Sequence, residues 1–210
     1  AILHGNIMDF DTLIIGAGAA GMMCAAHAGG RVLLLDHAKA AGEKIRISGG
    51  GRCNFTNRDL TFANFLSENR HFHKSALSRY TPQDFVALIE RHGIRWHEKT
   101  LGQLFCDTSA KEIVAMLRAE MAKAGADLWL ETEIGAISHD GTAFRVTLRR
   151  DGRESRITAR NLVVATGGKS IPKMGATGLA YRIAADFGLR LTETRPGLVP
   201  FTFEGERFRP

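Results

Sequence analysis

Leu13-Ile14-Ile15-Gly16-Ala17-Gly18-Ala19-Ala20-Gly21 is an apolar run that feeds directly into Gly-x-Gly-x-x-Gly, and the next apolar run, Val32-Leu33-Leu34-Leu35, ends on Asp36, twenty residues after Gly16. This order of strand, glycine turn, Ala-rich helix, strand and acid reads as a dinucleotide-binding βαβ unit. Gly16, following Ile15, permits the tight turn; Gly18 lets backbone approach a pyrophosphate; Gly21 lets the helix pack close to the strand. The unpaired N–H groups of Ala19, Ala20 and Gly21 then face the phosphates, where the helix dipole favours negative charge. Asp36, with His37 beside it, sits where a carboxylate accepts hydrogen bonds from ribose hydroxyls, and an acid there disfavours a 2′-phosphate. Glycine is common in this chain, 23 of 210 residues, so the triplet alone says little. Its context carries the reading.

Working outward, 210 residues with 44% apolar and 24% charged content suit one large or two small globular domains. No apolar run approaches the ~20 residues of a membrane span, and residues 1–9 are too short and polar for a signal peptide. Met8 is the expected natural start, residues 1–7 an added remnant, and the cytoplasm the expected compartment. The net charge of +6 is compatible with a polyanionic partner. Lys and Arg are nevertheless scattered, and Arg149-Arg150 with Arg153 and Arg156 reads as a solvated hairpin edge, so nucleic acid is not the expected partner. Cys24, Cys53 and Cys106 form no Cys-x-x-Cys and no zinc-type spacing. Neither a disulfide framework, a metal site nor a dithiol reductase centre is implied. His71 and His73 read as a surface pair.

Phe10 to Ile15, Arg31 to Asp36 and Asp127 to Leu130 read as parallel strands, with Ala19 to Ala28 the first helix. Periodicity vanishes from His37 to Asn57, which reads as a long functional loop. Thr81-Pro82-Gln83-Asp84 starts a helix that Gly93 ends, and Ser109 caps an amphipathic helix over Ala110 to Ala124 that stops at Gly125. After Ile134 the period drops to two: Ala136-Ile137, Phe144 to Leu148 and Ser155 to Thr158 read as a three-stranded meander with turns at Asp140-Gly141 and Asp151-Gly152. Asn161 to Ala165 reads as a further, buried parallel strand. The sum is an α/β architecture: a parallel sheet, a β-meander crossover and a helical excursion over about residues 58–125. Leu198 to Phe203 reads as a strand beginning a second domain, which makes the chain an expected fragment. The domain boundaries are then 8–195 and 196–210.

Two further segments carry chemistry. In Gly42 to Asn54, the glycines Gly49, Gly50 and Gly51 expose backbone N–H groups while Lys44 and Arg52 add positive charge, an anion cradle placed where a cofactor's pyrophosphate and ribityl chain would run. In Leu162 to Gly168, a strand delivers Ala165, Thr166, Gly167 and Gly168 to the sheet's carboxyl edge, where open α/β sheets bind ligands. Gly175-Ala176-Thr177-Gly178 opens a helix running to Phe187.

The order of these pieces resembles the two-dinucleotide-binding-domain flavoproteins of the glutathione-reductase type. Within them, Ser48-Gly49-Gly50-Gly51-Arg52-Cys53-Asn54 with Thr56-Asn57, Ala165-Thr166-Gly167-Gly168-Lys169-Ser170-x-Pro172 and Gly175-x-Thr177-Gly178 look like the BaiN-like, aminoacetone-oxidase-like family, over Asp9 to Phe201. The resemblance implies a Rossmann-like FAD-binding domain. Gly16, Gly18, Ala19, Ala20 and Gly21 would meet the pyrophosphate, and Asp36 the ribose. Lys44 and Ser48 to Asn54 would lie along the pyrophosphate and flavin, the Ile134 backbone at the adenine, and Ala165 to Gly168 near the ribityl chain. Family members continue past position 210 to a segment that completes the flavin site. Cys106 stands where many relatives have proline.

The leading expectation is an FAD-dependent oxidoreductase acting on a small, unidentified substrate, with NAD(P)H as a possible transient reductant. No catalytic acid or base is named. Cys53 is redox-active only if Arg52 lowers its pKa, and otherwise packs the loop. A non-catalytic NAD-binding sensor and an RNA-associated flavoprotein are the rival readings.

Overall fold

The computed structural model describes residues 8–169 and 178–196. The expected strand from Leu198, residues 1–7 and the motif residues 170–177 lie outside them. The chain divides into two compact units at Gly167/Gly168.

In the first unit a six-stranded sheet has the order β6-β2-β1-β9-β8-β7, built from β1 Met8–Ile15, β2 Val32–Leu35, β6 Asp127–Trp129, β7 Thr132–His139, β8 Phe144–Arg150 and β9 Arg153–Val164. β6, β2, β1 and β9 run parallel, while β8 pairs antiparallel with both β9 and β7. Alternation along the strands sends side chains to opposite faces. Ile14 and Leu34 join a core with Met22 and Ala25 of α1 (Ala19–His27) and with Ile113, Val114, Leu117 and Met121 of α5 (Ala110–Lys123). Leu13, Leu33 and Leu35 pack on the other face against Val146 and Leu148 of β8 and Ile157 of β9. Each such buried aliphatic side chain contributes about 1.5–3 kcal/mol. β1 and β2 are therefore held between two apolar layers.

The third meander strand and the expected separate parallel strand are one. β9 runs twelve residues without interruption, because Ala159-Arg160-Asn161 contains no glycine or proline to break it. Its tail is also less buried than expected, with Val164 38% exposed. The expected loop over His37 to Asn57 contains structure as well: α2 (Glu43–Ile47), a 3-10 turn over Ser48–Gly51 and β3 (Asn54–Asn57). Ile45 and Ile47 alternate on a helix and not on a strand, Ile45 buried and Ile47 exposed. Local propensity is weak in this segment, and packing of α2 on α5 imposes the helix.

The excursion is not purely helical. α3 (Lys74–Arg79) and α4 (Pro82–Arg91) are joined by a three-stranded antiparallel sheet, β3-β5-β4, that includes β4 (Trp96–Glu98) and β5 (Gln103–Cys106). Thr81 and Ser109 cap α4 and α5 as expected, each accepting from a first-turn N–H and each in a capping box. Among the described residues of the second unit, α6 (Leu179–Asp186) is the regular element, and the Lys169 ammonium stands 5.3 Å from the Tyr181 ring centre.

Candidate functional site

The glycine turn joins β1 to α1 with very little clearance on one side and open space on the other. Gly16 has φ +108°, and a Cβ placed on it would lie 2.5 Å from the Ala165 carbonyl oxygen. A Cβ on Gly21 would lie 1.8 Å from the Gly16 carbonyl oxygen, so α1 is seated on the turn itself. Gly18 is different, since a Cβ there meets nothing within 4 Å. It is also the N-cap of α1, with no side-chain cap and no acid in the first turn, and Ala19 and Ala20 are exposed. The helix therefore presents its first-turn amides to open space, with a positive dipole end.

Asp36 follows β2 and closes this site from the side. Its carboxylate accepts from the Ala17 N–H at 2.6 Å and from the Ala38 N–H at 2.9 Å, while His37 Nδ1 lies 3.3 Å away. Two N–H donors leave lone pairs on both oxygens for further donors such as hydroxyls. The Asp36 carbonyl accepts from the N–H of Thr132, a fully buried polar residue at the start of β7. Ile134 lies two residues further along the same strand. The Thr132 hydroxyl in turn donates to the Leu130 carbonyl. Sequence reasoning missed Thr132, which no local pattern marks; it follows Glu131, whose backbone is left-handed at φ +51°.

The second segment meets the first through the Gly42 N–H, which donates to the Ala17 carbonyl at 2.8 Å. It meets the third at Gly167, whose added Cβ would lie 3.6 Å from Lys44 Nζ. The Ala165 N–H donates to the Ile15 carbonyl and the Gly16 N–H to the Leu35 carbonyl, each at 2.8 Å. Thus Ile15 to Gly21, Asp36, Lys44 and Ala165 to Gly167 gather at the carboxyl ends of β1, β2 and β9. Gly168 opens the second unit.

Ser48 to Asn54 is ordered by its own backbone. The Cys53 N–H donates to the Ser48 carbonyl at 3.0 Å, and the Arg52 carbonyl accepts from the Cys106 N–H at 2.9 Å. Gly49 has φ +56°, and a Cβ on it would press 2.6 Å from the Phe105 ring, while a Cβ on Gly50 meets nothing within 4 Å. Cys53 is buried in a left-handed conformation, φ +52°. Burial pushes its thiol up, only partly offset by a hydrogen bond with Ser48, the opposite of activation by Arg52. Burial and the neighbouring Cys53 push Cys106 up to about 12. Burial thus favours the neutral thiol at both positions. No group of three or more metal-ligating side chains occurs among the described residues, and no helix among them is long and apolar enough to cross a membrane.

The HI0933-like protein Rossmann domain matches over residues 10–203. The chain is 53% identical over 196 residues to a ribosomal RNA dihydrouridine synthase of Escherichia coli K12, covering 92% of this chain and 48% of that protein. It is 26% identical over 193 residues to a 3-dehydro-bile acid delta(4,6)-reductase of Clostridium scindens, covering 89% and 46%. It spans about half the length of these relatives. Among solved structures, the open conformation of a flavocytochrome c3 fumarate reductase superposes with a TM-score of 0.58 at 21% identity, covering 89% of this chain and 42% of that one, a likeness of fold. The chain belongs to the HI0933-like family of Rossmann-domain proteins.

Proposed function

We propose that this chain is the FAD-holding part of a reductase that converts a uridine of ribosomal RNA to dihydrouridine. The observation that carries this reading is the 53% identity, across nearly the whole chain, to a protein named for that reaction. The name of the more distant reductase supports the reaction class. A 3-dehydro group is a ketone conjugated with the Δ4 double bond, and uracil C5=C6 is conjugated with the C4 carbonyl, so both names describe reduction of an alkene activated by a carbonyl. The BaiN-like grouping is the finer placement we propose within the family. The substrate is then a base in an RNA chain and not the free small molecule expected from sequence.

The described residues fit FAD: open space at Gly18, an uncapped helix terminus, and a half-buried carboxylate with lone pairs to spare. In this proposal Gly16 shapes the turn, the amides of Gly18 to Gly21 bind the pyrophosphate and Asp36 holds the ribose. The Ile134 backbone meets the adenine, while Lys44, Ser48 to Asn54 and Ala165 to Gly167 line the ribityl and ring side. When bound and reduced by an external two-electron donor such as NAD(P)H, FAD would supply the hydride equivalent that, with a proton from solvent, saturates uracil C5=C6. Asp36 orients the nucleotide end. Lys44 places positive charge where the two loops meet. Cys53 packs the loop and takes no part in electron transfer. A non-catalytic NAD sensor would leave the Lys44 to Asn54 segment without a role.

The test is nucleoside mass spectrometry of ribosomal RNA from cells lacking the gene, incubated with full-length holoprotein and NADH, NADPH or dithionite. A uridine that gains two hydrogens supports the reading. Unchanged RNA with all three reductants overturns it.

A further inference from the structure

The segment between β3 and α3 exposes apolar surface that a self-contained fold would cover. Leu66 is 95% exposed, Phe72 80% and Phe62 44%, and apolar patches of this kind mark binding faces. Two of the segment's rings, Phe62 and Phe65, are held in place. Phe65 stacks on His73 at 4.8 Å, Phe62 lies 5.9 Å from the same imidazole, and the Lys74 ammonium stands 5.8 Å from the Phe62 ring centre. Residues 57–80, which reach into the adjoining groove, carry two acids, Asp59 and Glu68, against Arg58, Arg70, Lys74 and Arg79, with two histidines; Arg58 is paired with Glu98. At one end of the segment lies a groove of about 300 Å³ lined by Asn57, Asp59, Leu60, Asn64 and Leu101. Leu101, on its rim, is 82% exposed and held at φ +60°, backbone strain of the kind found at binding sites.

Exposed aromatic rings interleaved with cations match one partner chemistry: unpaired RNA, whose bases stack on aromatic faces and whose phosphates seek Lys and Arg. A protein surface would satisfy the rings, but it would not need two acids against four cations. We propose that the face formed by Phe62, Phe72, Arg70 and Lys74, with the groove beside it, docks a single-stranded stretch of RNA, the bases stacking on the two rings. This deepens the reading given under Proposed function and rests on it for the identity of the RNA.

The experiment measures fluorescence anisotropy of a labelled oligouridylate of roughly 12 nucleotides with full-length holoprotein across a salt series. Phe62→Ala with Phe72→Ala is expected to weaken binding about tenfold or more, since stacking contributes about 1–3 kcal/mol per base. Arg70→Ala with Lys74→Ala is expected to lower the salt slope by about 1.4, roughly 0.7 per single-strand phosphate contact. Bound flavin and thermal midpoint stay unchanged in both. Radical footprinting of free holoprotein supplies a second measure: Phe72 and Leu66 are expected to be accessible without RNA and protected with it. Wild-type affinity and slope in both double variants, or rings already covered in free protein by the rest of its chain, overturn the docking face even if ribosomal RNA is still reduced. If RNA binds through these residues but no dihydrouridine forms with any reductant, the docking face stands and the proposed reaction falls.

Discussion

Gly16→Ala and Gly18→Ala change the same atom two residues apart, and the structure assigns them opposite consequences. At Gly16 the new methyl would stand 2.5 Å from the Ala165 carbonyl oxygen and 2.9 Å from the Thr166 Cα, at φ +108°. Both obstacles are backbone, so relief requires β9 to part from β1, straining the Ala165 N–H to Ile15 carbonyl bond. A left-handed L-residue costs about 1–2 kcal/mol and overpacking about 1–3 kcal/mol, so a loss of about 2–5 kcal/mol in unfolding free energy is expected. At Gly18 φ is −84° and ψ −169°, which any residue adopts, and the methyl meets nothing. Stability there should move by less than about 0.5 kcal/mol, while the methyl fills the space assigned to a pyrophosphate and weakens FAD about tenfold or more, about 1.4 kcal/mol. Urea unfolding of apoprotein with FAD titration by fluorescence quenching reads both quantities. A Gly18→Ala protein that binds FAD as tightly as wild type would refute the placement of the phosphates.

Asp36→Ala removes the acceptor of two backbone N–H groups and should cost about 2 kcal/mol in the apoprotein while also weakening FAD; loss of FAD affinity without any loss of apoprotein stability would contradict the hydrogen bonds described. Burial holds the Cys106 thiol at about 12 against 9.0 when unfolded, so the neutral form favours folding. The stabilisation is complete below pH 9 and lost as pH rises towards 12, by up to about 1.4 kcal/mol per pH unit. Urea unfolding across that window should show a shallower pH dependence in Cys106→Ala than in wild type, and identical slopes would exclude the effect. Thr81→Ala deletes the α4 cap and should lower stability by about 1 kcal/mol with unchanged FAD affinity; a parallel loss of FAD would show that the excursion and the glycine cradle are coupled.

What could be read from the chain alone follows how local each signal is. The βαβ unit was legible because its periodicity, glycines and acid lie within one short stretch, and α4 and α5 because their caps are written in Thr81-Pro82 and Ser109. α2 was not, since Glu43 to Ile47 is five residues long and owes its form to burial of Ile45 beside Val114. β4 and β5 are short strands that exist through their mutual pairing, a nonlocal term. The continuity of β9 was hidden because its partner changes from β8 to β1 along its length while its own pattern shifts only gradually. In the site, Asp36 and the glycines announced themselves. Thr132 did not, because its role is a backbone hydrogen bond from the far edge strand to the acid's carbonyl. The exposed face near Phe72 escaped notice because exposure is a property of the fold and not of the stretch.

The most direct test of a flavin in this cradle reducing a uracil is a single-turnover experiment. Full-length holoprotein, photoreduced and freed of donor, is mixed anaerobically with ribosomal RNA lacking the modification, and flavin absorbance is followed while quenched samples are analysed for dihydrouridine. One uridine reduced for each flavin reoxidised, at the same rate, is the expected result. Flavin that stays reduced in the presence of that RNA, or reoxidises without dihydrouridine appearing, would contradict it.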